Sequence, residues 1–363
     1  MKILFLEQFS ELGGGQRNLL DLLPAVLARG WDALVAAPGD GPLFEHAAAA
    51  GANVMHLPMA AYTNGRKTAF DAARFACDTI RLRRSVLCQD CDAISVGGAR
   101  WLPAAALGAR ARPVIFQAQH FIEDRRALAV AQWAIARAGV KVVANSRHVG
   151  SQFGAHDVVY NGVGEIPFAP RGFSGSWRIG IVGRIAPMKG QTDFLRAAVL
   201  IASAMPGTRF VICGAPVFCP AAYFEEVERL ARGLPVDFLG WREDVAAVLR
   251  ELDLLLVPSS SAEATTRVIL EAFSAGVPVI AYAAGGIGEI VRHGENGFLV
   301  RERTPEALAR KVLDVRKLDL RKIAARGRQD WERNYTVERY REQMMGMIES
   351  ISPTTASHRR RTW

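Results

Sequence analysis

Short apolar runs alternate with longer stretches at helical spacing along most of this chain. In the first half, the runs at 3–6, 33–37, 93–96, 114–117 and 140–144 have strand length, and the intervals between them read as helices. That rhythm predicts a parallel sheet wrapped in helices. It stops at NGVGEIPFAPRGFSGSW, residues 161–177, where Gly, Pro and Ser accumulate and periodicity is lost, as in a linker. It restarts with strand-like runs at 178–182, 209–213, 236–239, 254–257, 277–281 and 298–300, and a long helical stretch covers 305–351. The expected organisation is an α/β domain over 1–165, a linker at 166–176, a second α/β domain over 177–330, a helical segment at 331–351 and a basic tail, SPTTASHRRRTW, at 352–363. Two such domains leave a cleft, and in open α/β sheets ligands bind beyond the carboxyl ends of the strands, so the functional loops should follow strands.

Composition narrows the class. Of 363 residues half are hydrophobic and 22% charged, the balance of a globular protein with a sizeable core. The opening MKILFLEQF carries too short an apolar run for a signal peptide and reads as a first strand. The most apolar later stretch, 127–144, is interrupted by Arg137 and Lys141, so no membrane span is expected and the chain is placed in the cytoplasm. Five cysteines are too few and too unevenly spaced for a disulfide framework; Cys88 and Cys91 form a CxxC without a second pair and read as incidental thiols. The net charge of +9 points to an anionic partner.

The segment SAEATTRVILEAFSAGVPVIAYAAGG, 261–286, holds the strongest chemistry. Glu263 and Glu271 sit eight positions apart in a stretch that otherwise reads as core, where an unpaired carboxylate costs several kcal/mol. Thr265 or Thr266 suits an N-cap, 267–275 a short helix, Gly276 its C′ position and Pro278 the step into the next strand. Glu263 then precedes the helix and Glu271 lies about one and a half turns inside it, with a rise of about 1.5 Å per residue placing the two carboxylates on the order of 10 Å apart. Between them is a helix N-terminus suited to a phosphate. A diphosphate with a hydroxylated sugar on either side, as in a nucleotide sugar, fits that layout. A helix capped electrostatically by Glu263, with Glu271 on its surface, fits this segment alone as well.

Taken together, the motifs are similar to those of the retaining GT-B glycosyltransferases of glycosyltransferase family 4, and the similarity runs along nearly the whole chain. VPSSSAEATTRVILEAFSAGVPVIA resembles the family's Pro-Ser, Glu, seven-residue, Glu signature; GGIGEIVRHGENGFLV, GRIAPMKGQTDFLRA, FLGW, GGGQRNLLDLL, the ANS at 144–146 and VVYNGV resemble further family segments in the family's order. The resemblance implies a GT-B fold: two Rossmann-like domains facing each other across a cleft, with the C-terminal helix returning to the N-terminal domain. It implies that Arg184 and Lys189, next to Gly183 and Gly190, bind the diphosphate, that Glu271 meets the ribose and Glu263 the donor sugar, and that Thr265, Thr266, Arg267 and Val268 line the donor at the helix start. Thr265 and Thr266 stand where many family members carry Phe-Gly, which bears on the identity of the sugar.

In the first domain, Gly13, Gly14 and Gly15 precede a helix expected to begin near Arg17, a second anion-accepting helix start. His120 follows the 114–117 strand where the family has a cleft histidine, and the resemblance implies a hydrogen bond to the sugar or a proton shuttle. No aspartate pair looks like a metal site, and the Arg184/Lys189 pair can neutralise a leaving diphosphate, so metal-independent, cofactor-free transfer on one face of the sugar is expected.

The expected partners are a nucleotide sugar and a glycan or lipid-linked acceptor of cell-surface polysaccharide or lipopolysaccharide synthesis. The basic residues Arg66, Lys67, Arg74, Arg81, Arg83 and Arg84 on or near a helix at 68–87, with Arg110, Arg112, Arg125 and Arg126, suggest peripheral contact with an anionic membrane. A dinucleotide-dependent enzyme would need G-x-G-x-x-G directly after the first strand, whereas here GGGQRN starts seven residues past Leu6. A nucleotide-sugar epimerase or hydrolase of the same fold is the nearer alternative, distinguished by releasing free sugar and no conjugate. A nucleic-acid partner is disfavoured, because basic runs interleaved with aromatics are missing.

Overall fold

The computed structural model describes residues 1–59, 69–169, 176–217, 219–259 and 263–351. The chain divides into two units, one comprising Met1–Asn161 and the chain from Val337 on, the other Gly162–Thr336.

In the first unit the strands β1 (Lys2–Leu6), β2 (Asp32–Pro38), β3 (Asn53–Leu57), β4 (Ala93–Val96), β5 (Val114–Ala118) and β6 (Lys141–Ala144) form one parallel sheet in the order β3-β2-β1-β4-β5-β6. The central strands are covered on both faces and are accordingly continuous apolar runs, with Leu4 level with Leu34 on one side and Ile94 on the other. The connecting helices are α1 (Gly14–Ala28), α2 (Leu43–Ala49), α3 (Ala69–Cys88), α4 (Leu102–Gly108), α5 (Arg125–Ala138) and the short α6 (Arg147–Gly150). The helices α3, α4 and α5 lie side by side, and α1 packs with α2.

The second unit repeats the plan. Strands β7 (Arg178–Val182), β8 (Arg209–Cys213), β9 (Val236–Gly240), β10 (Leu254–Val257), β11 (Val279–Tyr282) and β12 (Phe298–Val300) form a parallel sheet in the order β12-β11-β10-β7-β8-β9. The helices are α7 (Gln191–Ala204), α8 (Ala221–Ala231), α9 (Val245–Arg250), α10 (Arg267–Ala275), α11 (Ile287–Ile290), α12 (Pro305–Val315) and α13 (Leu320–Asn334). Its core is built around Phe194 and Phe210, whose rings meet edge to face at 6.0 Å.

After α13 the chain re-enters the first unit as α14 (Val337–Ser350), and Tyr340, Met344, Met345 and Ile348 share a core with Leu19, Leu22, Leu23 and Val26 of α1. The Nε of Arg341 donates to the Asp21 carbonyl oxygen at 2.6 Å, and Arg29 forms an ion pair with Glu349. The helical return to the first domain is thus realised.

Four details differ from the sequence reading. Strand β3 was not expected: Asn53 and His56 are exposed and it pairs on one side alone, so its apolar signal is weak. Helix α1 starts at Gly14 rather than near Arg17, because the Gln16 side chain accepts from the Gly13 N–H at 3.1 Å and closes the helix start from within. The stretch 305–351 is three helices, and the segment 331–351 is divided at Tyr335, whose backbone leaves helical geometry with φ −131°. The boundary between the units falls at Asn161/Gly162, and most of the expected linker, 170–175, and the whole basic tail, 352–363, lie outside the described residues.

Candidate active site

The loop after β7 begins at Gly183, whose N–H donates to the Cys213 carbonyl oxygen at 2.9 Å. Buried Gln191, at the start of α7, fixes the loop from below: its Nε2 donates to the Arg184 carbonyl oxygen at 3.0 Å, and its Oε1 accepts from the Ala186 N–H at 3.3 Å and the Tyr223 hydroxyl at 3.2 Å. A single 3₁₀ turn, Pro187–Lys189, leads to Gly190 at φ 76°. A Cβ there would fall 2.1 Å from the Pro258 carbonyl oxygen, so only glycine lets the loop after β7 lie against the loop after β10.

That contact brings Lys189 to Glu263, 74 positions away in sequence: Nζ lies 2.5 Å from Oε2. The Glu263 side chain is 9% exposed, and its carbonyl oxygen accepts from the Gly286 N–H at 3.2 Å, which ties in the loop after β11. Burial lowers the pKa of the Arg184 guanidinium from its ordinary value, and the negative charge of Glu263 opposes that shift. Arg184, Lys189 and Glu263 thus form one charged cluster at the carboxyl end of the sheet.

Helix α10 starts beside it. Thr266 is at the N-cap position with extended backbone, and the hydroxyl makes no capping hydrogen bond; Thr265 and Thr266 are both buried. The first turn carries no acidic residue, and the helix ends on left-handed Gly276 at φ 80°. Arg267 reaches back to the Gly162 carbonyl oxygen with Nη1 at 3.1 Å, and its Nε lies 3.9 Å from Glu271 Oε1 one turn on. The two carboxylates of this segment are therefore each matched with a cation, Glu263 with Lys189 and Glu271 with Arg267. Val268 is buried in the first turn.

In the first unit, Gly13 is the N-cap of α1, and Gly14 and Gly15 form its first turn rather than a preceding loop. A Cβ on Gly15 would come within 3.0 Å of Gln119 Oε1, so this turn and the end of β5 are in close contact. His120 follows Gln119 and is exposed. Around them lies a buried amide network that the sequence reading missed: Asn18 Nδ2 donates to Gln119 Oε1 at 3.1 Å and to Asn161 Oδ1 at 2.8 Å, Asn145 Nδ2 donates to the Gln119 carbonyl oxygen at 3.3 Å, and Gln117 Nε2 donates to Ser95 Oγ at 2.9 Å. Glu7, at the end of β1, was also missed; a lone acid directly after an apolar strand was its signal.

The basic residues of this unit are not a uniform patch. Arg112 is spent on the carbonyl oxygens of Val86, Gln89, Gly108 and Ala109 at 2.8–3.1 Å. Arg74 and Arg81 both lie 3.9 Å from buried Asp78, and Arg83 donates to the Leu107 carbonyl oxygen at 3.2 Å. Arg84, Arg110, Arg125 and Arg126 are exposed, while Arg66 and Lys67 lie outside the described residues. Among the described residues no helix is long and apolar enough to cross a membrane.

Residues 176–317, which hold the charged cluster and α10, match the family model described as glycosyl transferases group 1. A D-inositol 3-phosphate glycosyltransferase of Rhodococcus erythropolis is 35% identical over 196 residues, covering 49% of this chain and 44% of that protein; the match thus spans under half the length of the curated relative. Among solved structures, HepE of Anabaena in complex with UDP-glucose superimposes with a TM-score of 0.81 at 25% identity, covering 96% of this chain and all of that one. Sucrose-phosphate synthase of Thermosynechococcus elongatus superimposes with a TM-score of 0.78 at 17% identity over 97% of this chain. The fold is GT-B, as the sequence motifs imply.

Proposed function

We propose that this chain is a retaining glycosyltransferase of family 4 that moves a sugar from a nucleotide-diphosphate sugar to a glycan or lipid-linked glycan acceptor in cell-surface polysaccharide or lipopolysaccharide synthesis. The observation that carries the reading is the cluster of Arg184, Lys189 and Glu263 beside the start of α10. The match of the same residues to a glycosyltransferase family model and the likeness to a UDP-glucose complex support it.

In this reading the donor diphosphate lies over the N-terminus of α10, with Arg184 and Lys189 on its oxygens and Gly183, Thr265, Thr266 and Val268 around it. Entry of the diphosphate draws the Lys189 ammonium from Glu263, which frees the carboxylate to accept from the sugar's hydroxyls. Glu271 accepts from the ribose hydroxyls and is held in place by Arg267. The bond from the anomeric carbon to the phosphate oxygen breaks with its electron pair going to the diphosphate. The acceptor oxygen bonds to the same face of that carbon, and its proton passes to the departing phosphate oxygen. The developing phosphate charge is largest in the transition state, where the two cations and the helix dipole stabilise it most. His120 donates to the transferred sugar or relays the acceptor's proton, and Gly13, Gly14 and Gly15 shape the acceptor side. Neither metal nor cofactor enters this scheme.

For the lipid-linked acceptor, support comes from the α3–α4–α5 layer. Phe70, Ile80, Leu107, Val130 and Trp133 are 40–76% exposed there, near the exposed Arg84, Arg125 and Arg126. Aromatic and aliphatic side chains mixed with arginines suit peripheral contact with an anionic leaflet, at the inner face of the cytoplasmic membrane. The defining test of the function is turnover of a panel of nucleotide-diphosphate sugars with and without EDTA; activity that persists on chelation fits the scheme, and activity abolished and then restored by a divalent ion contradicts it.

A further inference from the structure

Glu7 ends the central strand β1 at the point where the strand order of the first sheet reverses, between β1 and β4, which is where open α/β sheets bind ligands. It is 3% exposed. Its N–H donates to the Ala36 carbonyl oxygen at 2.8 Å, and its carbonyl oxygen accepts from Trp101 Nε1 at 2.8 Å. The carboxyl accepts from Gln16 Nε2 at 2.9 Å, and the other end of the same amide, Oε1, accepts from the Gly13 N–H at 3.1 Å. The loop after β4 makes room for it: a Cβ on Gly97 would fall 1.9 Å from Glu7 Oε1. A buried carboxyl, one amide and the first N–H of the glycine turn thus form a continuous relay.

We propose that Glu7 is a positioning residue: through the Gln16 amide, its carboxylate holds the Gly13–Gly15 turn in the shape the first unit uses to receive the acceptor. The relay has a defined polarity, because a carboxylate only accepts and therefore fixes which end of the Gln16 amide faces Gly13. A protonated Glu7 adds a hydroxyl donor, and its acceptor in this relay would be Gln16 Oε1, the atom the Gly13 N–H already uses. Protonation therefore competes with the bond that anchors the turn. Burial pushes the Glu7 pKa up to about 7, with the Gln16 bond opposing the shift. The groups packed on the carboxyl are Gln16 from α1 and Gly97 from the loop after β4, and no charged neighbour among the described residues contributes to the shift.

The acceptor role rests on the proposed transferase reading, so the test has an arm independent of turnover. Amide hydrogen exchange at residues 13–16, corrected for intrinsic pH dependence, is compared between pH 6 and 8.5 in the wild type, Glu7→Gln and Glu7→Ala. UDP-glucose turnover is followed over the same range. The relay predicts that wild-type protection at the turn rises about tenfold through pH 7. In Glu7→Gln, whose amide adds a donor as the protonated acid does and cannot ionise, protection should stay flat at the wild type's acid-side level. In Glu7→Ala it should be low throughout. Wild-type turnover should rise with the same midpoint, and the Glu7→Gln profile should lose that step. Protection that is equal at both pH values in the wild type, or that changes identically in Glu7→Gln, overturns the relay. Protection that behaves as expected while the two turnover profiles coincide overturns the positioning role. If the wild type turns over no UDP-glucose, turnover is followed with the donor found in the nucleotide-sugar panel, and the exchange arm decides the relay.

Discussion

The Lys189 ammonium and the Glu263 carboxylate meet at 2.5 Å across 74 positions of sequence, because Gly190 lets the loops after β7 and β10 touch. With Glu263 9% exposed and Lys189 21% exposed, the pair is shielded enough for each partner to depend on the other. A double-mutant cycle with Lys189→Ala and Glu263→Ala, read by urea unfolding without ligand, should give a coupling of about 1–3 kcal/mol. Arg184 also faces Glu263, which keeps the expected value below that of a fully buried pair. Additive effects within about 0.5 kcal/mol would show that the two charges do not depend on each other.

Arg184 and Glu271 should fail in different ways. In the proposed scheme the phosphate charge that Arg184 meets develops during bond breaking, so Arg184→Ala should lower kcat by about 100-fold or more with a smaller change in KM. The ribose contact proposed for Glu271 is the same in ground and transition states, so Glu271→Ala should raise donor KM about tenfold and leave kcat nearly unchanged. Initial rates over donor concentration separate the two. Interchanged behaviour would mean that the roles are misassigned.

Glu7 should leave a mark on stability as well as on the turn. Its folded pKa of about 7 lies above the ordinary 4.5, so between those values the folded state binds more protons than the unfolded state. Stability must then fall as pH rises through that window, by a total of about 3 kcal/mol for this group. Glu7→Gln removes the titration. The stability difference between Glu7→Gln and wild type, measured by urea unfolding at pH 5 and pH 8, should therefore shift by about 3 kcal/mol in favour of the variant at the higher pH. A difference independent of pH would rule out a raised pKa at this site.

Membrane contact through the α3–α4–α5 layer predicts cosedimentation with vesicles rich in phosphatidylglycerol at low salt, weakening steeply as salt is raised. Exchanging exposed Phe70, Ile80 and Trp133 for serine should reduce binding without lowering thermal stability, since none of them is buried. Binding that ignores both lipid charge and these substitutions would favour a soluble acceptor.

Much of this architecture is legible in the sequence. Strands at 93–96, 178–182, 209–213, 254–257 and 298–300 and the helix Arg267–Ala275 with its left-handed Gly276 lie where the apolar runs and the Gly-Val-Pro step indicate. Buried parallel strands are continuous apolar runs, and a helix that ends on glycine before proline declares its own boundary. Edge strand β3 does not declare itself, because exposed Asn53 and His56 interrupt its pattern. The acids at 263 and 271 stand out as costly, but their cations do not: Arg267 is a neighbour one turn away, and Lys189 becomes one only through strand order, with β7 beside β10. Glu7 and the Asn18–Gln119–Asn161 network stayed hidden for the same reason, since an acid or amide at a strand end or on a helix carries no periodic signal of its own and acquires meaning only when the start of α1 meets the ends of β1 and β5.

The central claim is transfer on one face of the donor sugar by the Arg184–Lys189–Glu263 cluster. It is tested most directly by proton NMR of the first-formed product during turnover of UDP-glucose with purified protein in EDTA, recorded before mutarotation. The account predicts that the new anomeric centre has the α configuration of the donor and that Lys189→Ala and Arg184→Ala slow its formation by about 100-fold or more. A β anomer as the first product, or undiminished formation by both variants, would contradict it.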